Sequence, residues 1–195
     1  MTLYDKMASS TECVLLFGDS FVGRLDSSLQ GRREQLVVNG HSVVLRGYNG
    51  AYVADIEQQL KRCSPQGLPM VVLQVGSNDL CKLSRPPNSV ADDLMRIAMY
   101  LQSNCHVQKV ILCEVFRRYS GYRVEGSLDR YNADVDTLNN TLEQRCSANS
   151  AIRFWRHGYK FHGQAMYSDG VHLTSPGMKK YRASILHAII LASNA

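Results

Sequence analysis

The sequence predicts an α/β fold, a three-layer α/β/α sandwich built on a parallel sheet of five strands. Three observations lead there. Short, nearly unbroken apolar runs recur at Val14–Phe17, Ser42–Arg46, Met70–Val75, Lys109–Val115 and Ile152–Trp155. Runs of this kind suit strands covered on both faces, as in a parallel sheet. The segments between them carry apolar residues at helical spacing, and a strand–helix alternation closes most simply as βαβ units. Finally, 195 residues are enough for one domain with a packed core, and no repeat, low-complexity stretch or Pro/Gly-rich linker divides them. Residues 1–195 are therefore read as a single domain, with 1–11 expected to form a flexible N-terminal segment.

The elements follow in order. Val14–Phe17 stops at Gly18-Asp19-Ser20, where a helix can begin. Ser42–Arg46 leads into Gly47-Tyr48-Asn49-Gly50-Ala51-Tyr52, and Met70–Val75 into Gly76-Ser77-Asn78-Asp79. Val90, Leu94, Ile97, Ala98 and Leu101 then repeat with the period of a helix that buries one face, as do Leu128, Tyr131, Val135, Leu138 and Leu142. The last helix has a start signal in Ser175 as N-cap and Pro176 at the first helical position. Met178, Tyr181, Ile185 and Ile189 mark its buried face.

Composition narrows the function classes. A hydrophobic fraction of 45% and a charged fraction of 20% fit a water-soluble globular domain. No apolar run is long enough to cross a bilayer, and Met1–Met7 lacks a signal-peptide pattern. An intracellular location is expected, although an excised domain would read the same way. The net charge of +5 is compatible with an anionic substrate, nucleic acid or an anionic membrane surface without demanding any of them. Six cysteines contain no Cys-x-x-Cys pair, which favours free thiols over zinc or disulfides. His157, His162 and Asp169 match no strong metal spacing, and neither Gly-rich phosphate motif is present. No metal and no cofactor are expected, and the oligomeric state is left open.

The chemistry sits at the two ends of the chain. Ser20 follows an apolar strand at the start of a helix, where backbone N–H groups favour negative charge. Asp169-Gly170-Val171-His172 supplies a histidine with a carboxylate three residues earlier. A weak hydroxyl nucleophile needs a base, and the base needs an orienting acid. Asn78, between them, has an amide that can donate to a developing oxyanion. Each residue has a plainer reading: Ser20 as an N-cap, Asn78 as a turn residue, His172 as a loop histidine. With the other blocks present, Ser20 reads as more than a cap, and the strand order places all these residues at the sheet edge where α/β folds bind ligands.

These four blocks resemble the SGNH (GDSL) hydrolase family, and the likeness runs through nearly the whole chain. It rests on Ser20 in Gly18-Asp19-Ser20, Gly50 in Gly47-Tyr48-Asn49-Gly50, Asn78 in Gly76-Ser77-Asn78-Asp79, and His172 with Asp169 in Asp-x-x-His. Gly50 is preferred over Gly47 because it immediately precedes the next helical pattern. The resemblance implies a flavodoxin-like architecture and a serine esterase acting on a small-molecule or lipid ester with a small acyl group. It also implies Ser20 as nucleophile, His172 as base and Asp169 as its orienter. The oxyanion hole would combine the Ser20 and Gly50 N–H groups with the Asn78 amide. A narrower likeness, around Phe154-Trp155-Arg156-His157, is to esterase domains of animal retroelement (LINE) open reading frames.

Two other function classes compete with this one. A non-catalytic module on the same fold, binding nucleic acid or lipid, would have no need of these five residues. A nucleotide-binding α/β domain would need the absent glycine motifs. The loop Phe116-Arg117-Arg118-Tyr119-Ser120-Gly121-Tyr122-Arg123 interleaves rings and cations after the fourth strand. Arg117, Arg118 and Tyr119 are therefore expected to rim the substrate pocket.

Overall fold

The computed structural model describes residues 13–30 and 36–194. The segment 1–11, expected to be flexible, lies outside the described residues. Strand β1 (Cys13–Gly18) is followed by helix α1 (Ser20–Ser28), β2 (Val37–Val38) and β3 (His41–Gly47). Then come α2 (Val53–Cys63), β4 (Met70–Gln74), α3 (Pro87–Ser103), β5 (Lys109–Cys113), α4 (Leu128–Cys146), β6 (Ile152–Trp155) and α5 (Ser175–Ser193). The sheet order is β2-β3-β1-β4-β5-β6, parallel throughout except for β2.

The period of two in the strands splits the core. Leu15 and Phe17 of β1, with Val71 and Leu73 of β4, pack against Ile56, Leu60, Ile97 and Leu138 from α2, α3 and α4. Val14, Leu16 and Val72 face the other way, onto Val22 and Leu25 of α1 and Tyr181, Ile185 and Ile189 of α5. β1 and β4 are buried along their whole length, which is why they read as continuous apolar runs. Among the described residues no helix is long and apolar enough to cross a membrane.

The structure corrects the expected strand count and several boundaries. A sixth strand, β2, pairs antiparallel with β3 through the turn Asn39-Gly40. Both turn residues have positive φ, 49° and 79°, the geometry that Asn-Gly favours in a two-residue hairpin. β5 ends at Cys113 rather than Val115, because Asn139 on α4 takes over the Val115 backbone through both its amide groups at 2.9 Å. Helix α5 is capped by Thr174, not Ser175; its side chain accepts from the Gly177 N–H at 3.3 Å. All six cysteines are free.

Gly18 and Gly47 pair across β1 and β3 at the ends of the strands. A Cβ on Gly47 would stand 2.0 Å from the Gly23 nitrogen, so this glycine lets α1 lie against the sheet. That close approach sets the start of α1 directly over the carboxyl edge.

His157, which the sequence reads as part of a loop of mixed aromatic and basic residues, belongs to the core, at 3% exposure. Its ring is the middle of a hydrogen-bond chain. The Trp155 Nε1–H donates to Ser184 Oγ (3.0 Å), which donates to His157 Nδ1 (2.9 Å). The His157 Nε2–H then donates to Gln74 Oε1 (2.9 Å), whose amide nitrogen is committed to the Glu114 carbonyl (3.0 Å). Both ring nitrogens are used, with one proton between them, and burial pushes the imidazole down to about 3. Among the described residues no group of three or more His, Cys, Asp or Glu side chains could hold a metal ion.

This ring predicts a pH effect on stability. A depressed histidine stabilises the fold fully above its unfolded range, and the contribution is lost as pH falls from about 6.5 towards 3. Buried Asp19, raised to about 7, works oppositely and favours the fold as pH falls from 7 towards 4. The two slopes oppose in the wild type and separate in His157→Gln. Its cost, measured by urea unfolding, should shrink by about 2 kcal/mol between about pH 7.5 and 5. An equal cost at both pH values would show that the ring is not held neutral.

Candidate active site

The site is assembled from five connections, all leaving the carboxyl edge of the sheet. Ser20 begins α1 immediately after β1. Asn49 and Gly50 follow β3, Ser77 and Asn78 follow β4, Arg118, Tyr122 and Arg123 follow β5, and Val171 and His172 precede α5. Together with Phe21 and Arg24 they line one cleft of about 340 Å³.

Ser20 is not the cap of α1. Asp19 is, its carboxylate accepting from the Phe21 N–H at 3.0 Å. Burial pushes Asp19 up to about 7, against the pull of the Phe21 N–H and the Arg118 charge. With the cap supplied by its neighbour, the Ser20 hydroxyl is left for His172, whose Nε2 stands 3.3 Å from Ser20 Oγ. The opposite ring nitrogen, Nδ1, meets Asp169 Oδ2 at 2.7 Å. Asp169 is fixed in turn by its other oxygen, which accepts from the Val171 N–H (2.9 Å) and the His172 N–H (2.7 Å). Gly170 makes this turn possible with φ 77°. Desolvation raises the Asp169 carboxyl, but these donors and the imidazole outweigh it and hold the group well below the usual carboxylate range. An ionised Asp169 requires the proton on Nδ1, leaving the Nε2 lone pair towards the Ser20 hydroxyl.

The second wall supplies donors. Gly50 lies in the cleft lining with φ 76°, whereas Gly47 is spent on packing. Among the described residues the Ser20 and Gly50 N–H groups have no partner in the fold. The Asn78 amide nitrogen gives one hydrogen to the Ala51 carbonyl at 3.0 Å and keeps a second. Its oxygen accepts from Arg118 Nη2 at 3.2 Å, which fixes which end of the amide is the donor. Asp79 has a supporting role: its carboxylate receives the Val53 N–H at 3.0 Å and meets Arg85 at 3.3 Å.

The loop after β5 divides differently from expectation. Arg118 does line the cleft, but it is 5% exposed, lies 5.0 Å over the Tyr131 ring and binds Ser77 Oγ at 2.9 Å. It is built into the wall. Arg117 points to a separate recess, where it pairs with Asp136. Tyr119 packs on Tyr167 with ring centres 5.1 Å apart and accepts from the Gly163 N–H. Neither lines the cleft that holds Ser20. Of the loop's cations Arg123 joins Arg118 in the lining, and so does Arg24 of α1, which the sequence pattern did not single out. Arg24 was legible: it stands four residues after Ser20, on the same face of α1.

The profile of the GDSL-like lipase/acylhydrolase family matches residues 16–180. The chain belongs to this family. No curated protein matches the chain. Solved structures of the same fold include a GDSL-like lipase from Bacteroides thetaiotaomicron, with TM-score 0.75 and 21% identity over 96% of this chain and 95% of that one. An aryl esterase of M. smegmatis aligns with TM-score 0.69 and 14% identity, covering 91% and 98%. An acetyl-xylooligosaccharide esterase from Geobacillus stearmophilus aligns with TM-score 0.67 and 19% identity, covering 92% and 94%. In this GDSL-like domain the family match extends from β1 into α5 and so takes in every residue of the site just described.

Proposed function

We propose that the domain is a serine esterase that hydrolyses carboxylic esters with small acyl groups. The observation that carries this is the chain Ser20 Oγ–His172 Nε2 (3.3 Å) and His172 Nδ1–Asp169 Oδ2 (2.7 Å), set in one cleft with Gly50 and Asn78. A non-catalytic binding module has no need of a base beside that hydroxyl.

In this reading Ser20 Oγ attacks the ester carbonyl carbon while His172 Nε2 takes the hydroxyl proton. The carbonyl oxygen gains the charge and is met by the Ser20 and Gly50 N–H groups and the Asn78 amide. Collapse breaks the bond to the alcohol, which leaves with the proton from His172. Water then gives a proton to His172 and attacks the acyl-serine, and the acid departs as Ser20 regains its proton. Asp169 holds the imidazole in the productive tautomer throughout and stabilises its cationic form.

The small-acyl preference is supported by the lining. Among the described residues Phe21, Tyr122 and Val171 are its only large apolar side chains, which leaves little surface for a long chain. A panel of aryl esters of graded acyl length tests this: kcat/KM should be highest for acetyl and fall steadily to octanoyl. A rise towards octanoyl would overturn the small-acyl reading. The likeness to retroelement domains rests on Phe154–His157, which here form the end of β6 and the core hydrogen-bond chain, and it adds nothing to the pocket.

Asn78→Ala should lower kcat by on the order of 10²-fold with little change in KM, because an oxyanion donor strengthens only in the transition state. A change confined to KM would make Asn78 a ground-state contact instead.

A further inference from the structure

The cleft is electrically one-sided. Three arginines, Arg24, Arg118 and Arg123, line it, and among the described residues no carboxylate does. Outside the cleft, Arg85, Arg96, Arg117, Arg130, Arg145 and Arg156 each meet an Asp or Glu within 4 Å. Arg118 is likewise spent, on Ser77, Asn78 and the Tyr122 carbonyl. Arg24 and Arg123 differ. Both are exposed, and among the described residues neither meets an acidic side chain. Arg123 is presented by a backbone of positive φ (61°) with its guanidinium 5.2 Å over the Tyr122 ring. Arg24 stands one helical turn from the nucleophile.

Two unpaired guanidiniums beside the reacting serine are a recognition device for an anion, which a planar fork of donors binds in bidentate fashion. We infer that the preferred substrates are esters carrying a second, anionic group, such as a carboxylate, phosphate or sulfate, a few atoms from the scissile carbonyl, held by Arg24 and Arg123. This rests on the esterase reading and names its substrate class. It moves the anion contact from Arg117 and Arg118, where the sequence pattern put it, to the two arginines of the cleft lining that are not committed to the wall.

The test uses two matched pairs of esters. Monophenyl succinate against phenyl butyrate places the charge on the acyl side, and 3-acetoxybenzoate against phenyl acetate places it on the alcohol side. At low salt the anionic member of at least one pair should exceed its neutral partner in kcat/KM by on the order of 10-fold, and added salt should erode the ratio. Arg24→Gln/Arg123→Gln should bring that ratio to about one, whereas Arg145→Gln, which removes a charge paired with Asp92, should leave it in place. Ratios at or below one for both pairs, or a ratio indifferent to the double substitution, would overturn the proposal. A failure of the esterase reading shows differently, as no turnover of any ester. Anion recognition is then read by calorimetry of monophenyl succinate on the Ser20→Ala protein. Binding that weakens by about 10-fold or more with Arg24→Gln/Arg123→Gln supports the proposal. Absent binding, or binding insensitive to that change, overturns it.

Discussion

Ser20→Ala should lower kcat by on the order of 10⁵- to 10⁶-fold on any ester the domain turns over. The size follows from the role proposed for the hydroxyl. Without it no acyl-enzyme can form, and only binding and the oxyanion donors remain to assist water. The structure also separates this loss from a loss of fold. Helix α1 is capped by Asp19 rather than by Ser20, and the Ser20 hydroxyl has His172 as its partner. The Tm of the variant should therefore stay close to that of the wild type. A loss of activity accompanied by a large fall in Tm would point to a structural serine instead.

His172→Ala should cost nearly as much as Ser20→Ala, and Asp169→Asn roughly ten- to a hundredfold less. The imidazole moves the proton in both half-reactions, so its removal leaves the hydroxyl without a base. Asp169 acts only through the ring. Its carboxylate accepts from Nδ1 at 2.7 Å and from two backbone N–H groups. An amide in its place can still occupy the turn but no longer demands the proton on Nδ1, so the ring spends part of its time in the unproductive tautomer. The double variant Ser20→Ala/His172→Ala should be scarcely worse than either single change, because the groups act as a unit. Additive losses would mean that the two residues serve separate purposes.

The outline of the site was readable in the sequence because its physics is local. Gly18-Asp19-Ser20 ends a fully buried strand, Gly76-Ser77-Asn78 ends another, and Asp169–His172 leads into a proline-containing helix start. Hydrophobic runs give the strands, and the sheet's parallel order brings their carboxyl ends together. What escaped depends on side-chain direction and tertiary partners. Arg117 and Arg118 are adjacent in sequence yet project into different recesses, one to Asp136 and one to Ser77 and Asn78. No periodicity marks that choice in a loop. His157 looks like a surface residue between Arg156 and Gly158; its burial follows from Gln74 and Ser184, 83 and 27 residues away. β2 had a signal in Asn39-Gly40, but two residues of strand make too short a run for alternation to register.

The most direct test of the nucleophile is covalent. A fluorophosphonate probe, followed by intact-mass analysis and peptide mapping, should give one adduct per chain on Ser20 in the wild type and none in Ser20→Ala. Labelling that survives the substitution, or an adduct that maps to another residue, would contradict the account.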